Sequence, residues 1–174
     1  MKTKNIFMLL VICLASCNSE ISDFKQKVLF ELHYTNWAWS YQNNGFLIDS
    51  AGYVRAFDLS KKTVEWNSTD STGHISKEKM DNNLSYCDSI ICRLSTDTLS
   101  RYVGKIWGAS KGKISNSQMQ MADFGEIRYS AYIFDEKTNC YKEVMIKLYG
   151  DWMSNNNSPE AEEIYQWLNR ICKK

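Results

Sequence analysis

The chain has 174 residues, of which 44% are hydrophobic and 24% charged, with 21 basic side chains against 20 acidic ones. That composition is globular, and the near-neutral balance holds no Lys/Arg cluster able to track a phosphate backbone, so no nucleic-acid partner is expected.

The first sixteen residues have their own pattern. Lys2 and Lys4 precede an unbroken apolar run from Ile6 to Leu14, and the small residues Ala15 and Ser16 follow it. This is the layout of a secretory signal. The run is too short to span the bilayer, which takes roughly 20 helical residues. Leu14-Ala15-Ser16-Cys17 then resembles the lipobox of bacterial lipoproteins, Leu followed by two small residues and Cys. The resemblance implies cleavage before Cys17 and acylation of its thiol and new amine, an anchor of several chains that holds more firmly than one. The expected location is the cell envelope, facing the periplasm or the cell surface, with the lipid bilayer as partner through acylated Cys17. Residues 1–16 are read as the signal, 17–26 as the lipidated Cys with a polar, aperiodic tether, and 27–174 as one domain. Without Lys2 and Lys4 the balance is 19 basic to 20 acidic side chains.

Lys27 to Trp39 opens the domain. Val28, Phe30, Leu32 and Tyr34 alternate with Lys27, Glu31, His33 and Thr35, and Leu29 alone breaks the polar side. Period two predicts a half-buried strand. Gly45–Asp49 and Tyr53–Leu59 are predicted as a hairpin around Ser50-Ala51-Gly52. Thr63–Trp66 is a fourth, short strand. The period then changes. Ser76 caps a helix predicted to reach about Leu94, with Met80, Leu84, Cys87, Ile91 and Leu94 as its stripe. Asp97 caps a second helix, with Leu99, Tyr102, Val103 and Ile106 on one face, ending near Gly108–Gly112. Glu126–Phe134 and Tyr141–Tyr149 are strands around a polar loop. Ser158-Pro159-Glu160 starts a last helix, with an N-cap, Pro at the first position and acid in the first turn. Its buried stripe is Ala161, Ile164, Leu168 and Ile171. The expected class is α+β, an antiparallel sheet with helices packed on it, in the order β-β-β-β-α-α-β-β-α.

Cys87, Cys92, Cys140 and Cys172 remain after the signal and Cys17, and an exported protein permits disulfides. In one regular helix Cys87 and Cys92 stand about 140° apart and cannot bridge. The pairings left open are Cys87–Cys140 with Cys92–Cys172, or Cys87–Cys172 with Cys92–Cys140. Buried free thiols are the bland alternative. No C-x-x-C or His pair has metal spacing, so neither a metal nor a cofactor is expected. No nucleophile–base motif is present, so no catalytic residue is assigned. Asp151 with Asn155–Asn157 reads as a connector, because its spacing does not fit a calcium loop.

Trp37, Trp39 and Tyr41 are spaced by two. Six Trp and ten Tyr in one small domain argue that most are packed, so Trp37 and Trp39 are expected in the core and Tyr41 partly exposed. The competing reading is an exposed row that binds a glycan or a peptide through its flat faces. Asp49-Ser50-Ala51 and Asp70-Ser71-Thr72 resemble the acceptor of a bacterial envelope O-glycosylation system, which implies modification at Ser50 and Ser71. The stretches NWAW, GFLIDSAG, ADFG, GDW and YQWL, at residues 36–39, 45–52, 122–125, 150–152 and 165–168, resemble small envelope lipoproteins, and no activity follows from that. The expected function is therefore a membrane-anchored, non-catalytic binding module for an envelope protein or a glycan, such as an inhibitor or immunity-type factor. The alternative is a small envelope enzyme with a site assembled from scattered residues.

Overall fold

In the computed structural model, which describes residues 26–171, the first strand is β1, Val28–Asn36. It pairs with β2 (Gln42–Asp49) on one side and β7 (Glu126–Asp135) on the other, both antiparallel. Its first half, Val28–Leu32, is buried on both faces, so the expectation of a half-buried strand is corrected there, while His33–Thr35 are half-buried. A register shift between Val28 and Phe30 explains how Leu29 fits. Leu29 and Phe30 both enter one core cluster, while Val28 belongs to the other. Beyond this bulge the alternation is regular, and Glu31, His33 and Thr35 point to Val28's side.

β2 turns into β3 (Tyr53–Asp58) through the expected hairpin. Gly52 N–H donates to Asp49 O at 3.0 Å, and Tyr53 N–H donates to Asp49 Oδ1 at 2.9 Å. The residues after β3 depart from expectation. Thr63–Trp66 is not a strand; Trp66 is instead a buried anchor in a long crossing loop. Next come β4 (His74–Ser76) and α1 (Lys77–Ser85), capped by Ser76 as predicted. The helix stops at Ser85, and Ser89–Arg93 is strand β5 on the free edge of β3. β-branched Ile90 and Ile91 favour the pleat, and β3's open hydrogen-bonding edge outweighs the helical stripe. Cys87 and Cys92 are thus not on one helix.

The second helix, α2 (Thr96–Ala109), is capped by Ser95 and not by Asp97. A short strand β6 (Gln118–Met119) precedes β7, and β8 (Cys140–Gly150) follows it. β9 (Trp152–Asn155) leads to α3 (Pro159–Ile171), whose start is capped by Ser158 Oγ, which accepts from Ala161 N–H at 3.1 Å.

The sheet order is β5-β3-β2-β1-β7-β8-β9-β6, with β4 also on β8. The predicted class and order are therefore overturned. The chain is strand-dominated, 41% strand against 25% helix, and runs β-β-β-β-α-β-α-β-β-β-β-α. β4, β6 and β9 have two to four residues each, too few to show a period in the sequence.

Two apolar layers hold the sheet. On one face α2 and α3 bury Leu99, Tyr102, Ile106, Ala161, Ile164 and Leu168 against Phe30, Ile48, Val144 and Ile146. Trp167 stacks on Tyr102, centroids 4.0 Å apart, and meets Phe30 edge-on at 5.0 Å. On the other face the loop after β3, β4 and α1 bring Trp66, Leu59, Ile75 and Met80 onto Val28, Leu47 and Tyr141. The second layer covers only part of its face, and the gap is where the site lies. Among the described residues no helix is long and apolar enough to cross a membrane. The signal, Cys17, most of the tether and Cys172 lie outside the described residues.

Candidate functional site: a polar cleft with an aromatic mouth

The polar residues of β1 and β7 lie side by side. Antiparallel register sets Glu31 opposite Ser130, His33 opposite Arg128 and Thr35 opposite Glu126. Directly opposed residues share a face, so the pairing converts two unremarkable alternations into one polar strip. A cavity of about 370 Å³ lies over this strip, with Trp66–Asp70 as its roof and Glu143 of β8 in its wall.

Three attachments hold the roof down. Trp66 Nε1–H donates to Glu31 Oε1 at 3.0 Å. The backbone N–H and the Nδ2 of Asn67 both donate to Oδ1 of the fully buried Asn83 at 2.9 Å, and Asn83 Nδ2 donates back to Asn67 O at 2.8 Å. Thr69 Oγ1–H donates to Glu143 Oε2 at 2.9 Å, while Ser130 Oγ–H donates to Glu143 Oε1 at 2.5 Å. At the outer end of the roof Asp70 closes a turn, accepting from Thr72 N–H, Thr72 Oγ1–H and His74 N–H. Those bonds, chiefly the Thr72 hydroxyl, hold its carboxyl down at about 2.

The deep end is organised by Glu31. Tyr132 Oη–H donates to its Oε2 at 2.5 Å, and His33 Nδ1 stands 3.4 Å from its Oε1. Burial pushes the Glu31 carboxyl above the usual carboxylate range, against the opposing pull of His33, Tyr132 and Trp66. Burial and the nearby Glu31 also push the Tyr132 hydroxyl well up, so it remains a donor. On the other side of the ring, Asn43 Nδ2 donates to Tyr41 Oη at 2.6 Å. Its Oδ1 faces His33 Nε2 at 2.8 Å. Tyr41, Asn43, His33 and Glu31 form one chain of polar contacts from the mouth to the buried acid.

The mouth is a second cavity of about 490 Å³ that shares Thr35 and Glu126 with the first. Trp37 and Trp152 flank it, with Asp151 and Asn36 in the wall. Here the core expectation for the aromatic row is overturned. Trp37 is 77% exposed and Trp39 84% exposed, because β1 ends at Asn36 and the row belongs to the following turn. Trp37 leans on half-buried Tyr41, centroids 4.3 Å apart. Gly125 makes the mouth possible. Its φ is +82°, and a Cβ there would lie 2.3 Å from Thr35 O.

The other sequence candidates fall elsewhere. Cys87, Cys92 and Cys140 are free thiols, so neither proposed pairing set forms as a whole. Cys87 donates to Asn83 O, and burial raises its thiol to about 12, the reverse of a nucleophile's setting. Among the described residues no group of three or more His, Cys, Asp and Glu side chains could hold a metal ion. Asp151 Oδ1 accepts from Phe124 N–H, and Asn156 Nδ2 donates to Ala109 O and Met145 O, so both fasten loops. Ser71 is exposed in its turn and Ser50 half-buried in the β2–β3 hairpin. Sequence reasoning missed Glu31, His33, Arg128 and Glu143. The signal available was the polar alternation of Glu31-His33-Thr35 and Glu126-Arg128-Ser130 within two otherwise apolar strands. The fold stands without a counterpart to borrow a role from, since no family model, curated protein or solved structure matches the chain.

Proposed function

We propose that this chain is a lipid-anchored envelope protein that binds a glycan in the cleft between β1, β7 and the Trp66–Asp70 roof. The observation that carries the reading is the pairing of an exposed Trp37/Trp152 mouth with a continuous polar floor. Flat aromatic faces take sugar rings, and closely spaced acceptors take their hydroxyls. Beside Glu31 and His33, the charged groups lining the two cavities are Arg128, paired with Glu126 and Glu143, and the acids Asp70 and Asp151. This negative surplus favours a neutral or amine-bearing saccharide and repels uronate, sulfate or phosphate groups.

Binding without catalysis is preferred on the state of the acids. Both oxygens of Glu31 and both of Glu143 are already taken by protein donors. They hold the floor and roof together, and neither is left free to attack or protonate a bound ring. The enzyme alternative draws on the raised Glu31 carboxyl beside His33, the setting in which a general acid is kept protonated.

Calorimetry of the acylated protein in detergent against chito-oligosaccharides, their deacetylated forms and uronate-rich glycans tests the proposal. Binding of the first two classes, weakened at least tenfold by Trp37→Ala and Trp152→Ala, is expected. Equal affinity in the two variants, or preference for the anionic glycans, refutes it; release of reducing ends on incubation would favour the enzyme.

A further inference from the structure

A third cavity, of about 270 Å³, opens on the helix-covered face. Val103, Ile106, Ile133 and Phe134 are among its walls, and Trp107, Gln26 and Glu136 also border it. Trp107 is in the last turn of α2 and is 64% exposed, with Lys111 Nζ 5.1 Å from the centre of its ring. Of the residues lining the glycan cleft, only Tyr132 also borders this groove.

Gln26 gives the surface its meaning. Its Nε2 donates to Tyr132 O at 2.9 Å and to Val28 O at 3.1 Å, and its Oε1 accepts from Phe134 N–H at 2.9 Å. The root of the tether is thus clamped to β7 at the groove's edge. Cys17 and Gln26 are nine positions apart, a reach of at most about 30 Å when extended. β1 then carries the chain away from Gln26 for nine residues, about another 30 Å, before Trp37. β7 runs back the same way, from Glu126 at the mouth to Phe134 at the groove. Of these two exposed aromatic regions, Trp107 lies at the end where the tether enters the domain at Gln26.

We infer that the surface around Trp107 is where the domain rests on the lipid bilayer, with the glycan mouth turned away from it. This rests on the lipid anchor at Cys17 given above. An exposed Trp beside a Lys, over an apolar groove, is the arrangement that sits at a membrane–water interface: the ring enters the headgroup layer, and the ammonium stays wet. The occupant of the groove is a lipid acyl segment from the supporting leaflet. The result is a cleft held about a strand's length above the membrane and open to glycans beyond it.

The test uses the acylated full-length protein in phosphatidylcholine–phosphatidylglycerol vesicles, with plain or chain-brominated lipid, since bromine quenches only tryptophans in contact with the acyl region. Wild type should float with the vesicles and lose fluorescence on bromination. Trp107→Phe should float equally and lose that quenching, whereas Trp37→Phe and Trp152→Phe should keep it. Unchanged quenching in Trp107→Phe, or quenching abolished by Trp37→Phe or Trp152→Phe, overturns the resting face and leaves the anchor standing. Failure of the wild type to float overturns the anchor and the resting face together, whatever the glycan titrations show.

Discussion

Replacing Glu31 by Ala removes the acceptor that joins the floor of the cleft to its roof. Two buried donors, Trp66 Nε1–H and Tyr132 Oη–H, lose their partner at once. Each orphaned buried donor costs about 1–3 kcal/mol, and the space left by the side chain adds to that. Relief from burying a carboxyl offsets part of the sum. A net loss of about 3 kcal/mol follows, a large share of the roughly 5–15 kcal/mol that stabilises a domain. Near 150 residues, each kcal/mol moves the melting temperature by roughly 2–4 °C, so a fall of about 6–12 °C is expected. Glu31→Gln keeps one acceptor and the side chain's volume, and should cost no more than about 1–2 kcal/mol. The pH dependence separates the two effects. Glu31 in the folded protein holds its proton to higher pH than in the unfolded chain, where its carboxyl is ordinary. Its contribution is therefore complete below the ordinary carboxylate range and declines as pH rises through the raised folded value. Urea denaturation across that window should show this decline in wild type and not in Glu31→Gln. A Glu31→Ala variant within about 0.5 kcal/mol of wild type would refute the reasoning, because such a shift is typical of a surface site without partners.

Three further outcomes follow from the same structure. Trp37→Ala should leave the urea midpoint within about 0.5 kcal/mol of wild type, since the ring is mostly in water, whereas Trp167→Ala should cost about 3–5 kcal/mol by emptying its place between Tyr102 and Phe30. Gly125→Ala should destabilise by roughly 1–3 kcal/mol and weaken glycan binding in the same titration, since alanine must hold φ at +82° with its Cβ driven toward Thr35 O. A water-soluble thiol reagent at pH 8 should modify exposed Cys92 in the folded protein and reach Cys87 only after denaturation, as peptide mapping would show; equal rates would contradict the burial that lifts Cys87 to about 12.

Several elements were legible because their causes are local. The β2–β3 hairpin was announced by Asp49 and Gly52, whose backbone and side chain make the turn. The stripes of α2 and α3 and the Ser158 cap depend on residues three or four positions apart; the cap forms, and the stripes are buried except for half-buried Val103 and Ile171, with Trp167 joining that of α3. Strands β7 and β8 were placed within a residue or so of their ends. Tertiary structure decided the rest. Ser89–Arg93 carried a helical period, yet the open edge of β3 made it a strand and undid the helix-based argument about Cys87 and Cys92. Trp37 and Trp39 sit one and three residues past the end of β1, and that boundary alone separates a core position from an exposed mouth. The cleft needed most. Glu31 and Ser130 are 99 positions apart, and Glu31 and Glu143 are 112 apart. Only the β1–β7 register and the Trp66–Asp70 roof bring them around one cavity. Local sequence determines which residues can turn, cap or alternate, because those preferences act over a few bonds. Which polar alternations meet across a sheet is set by strand pairing, a choice made by the packing of the whole chain.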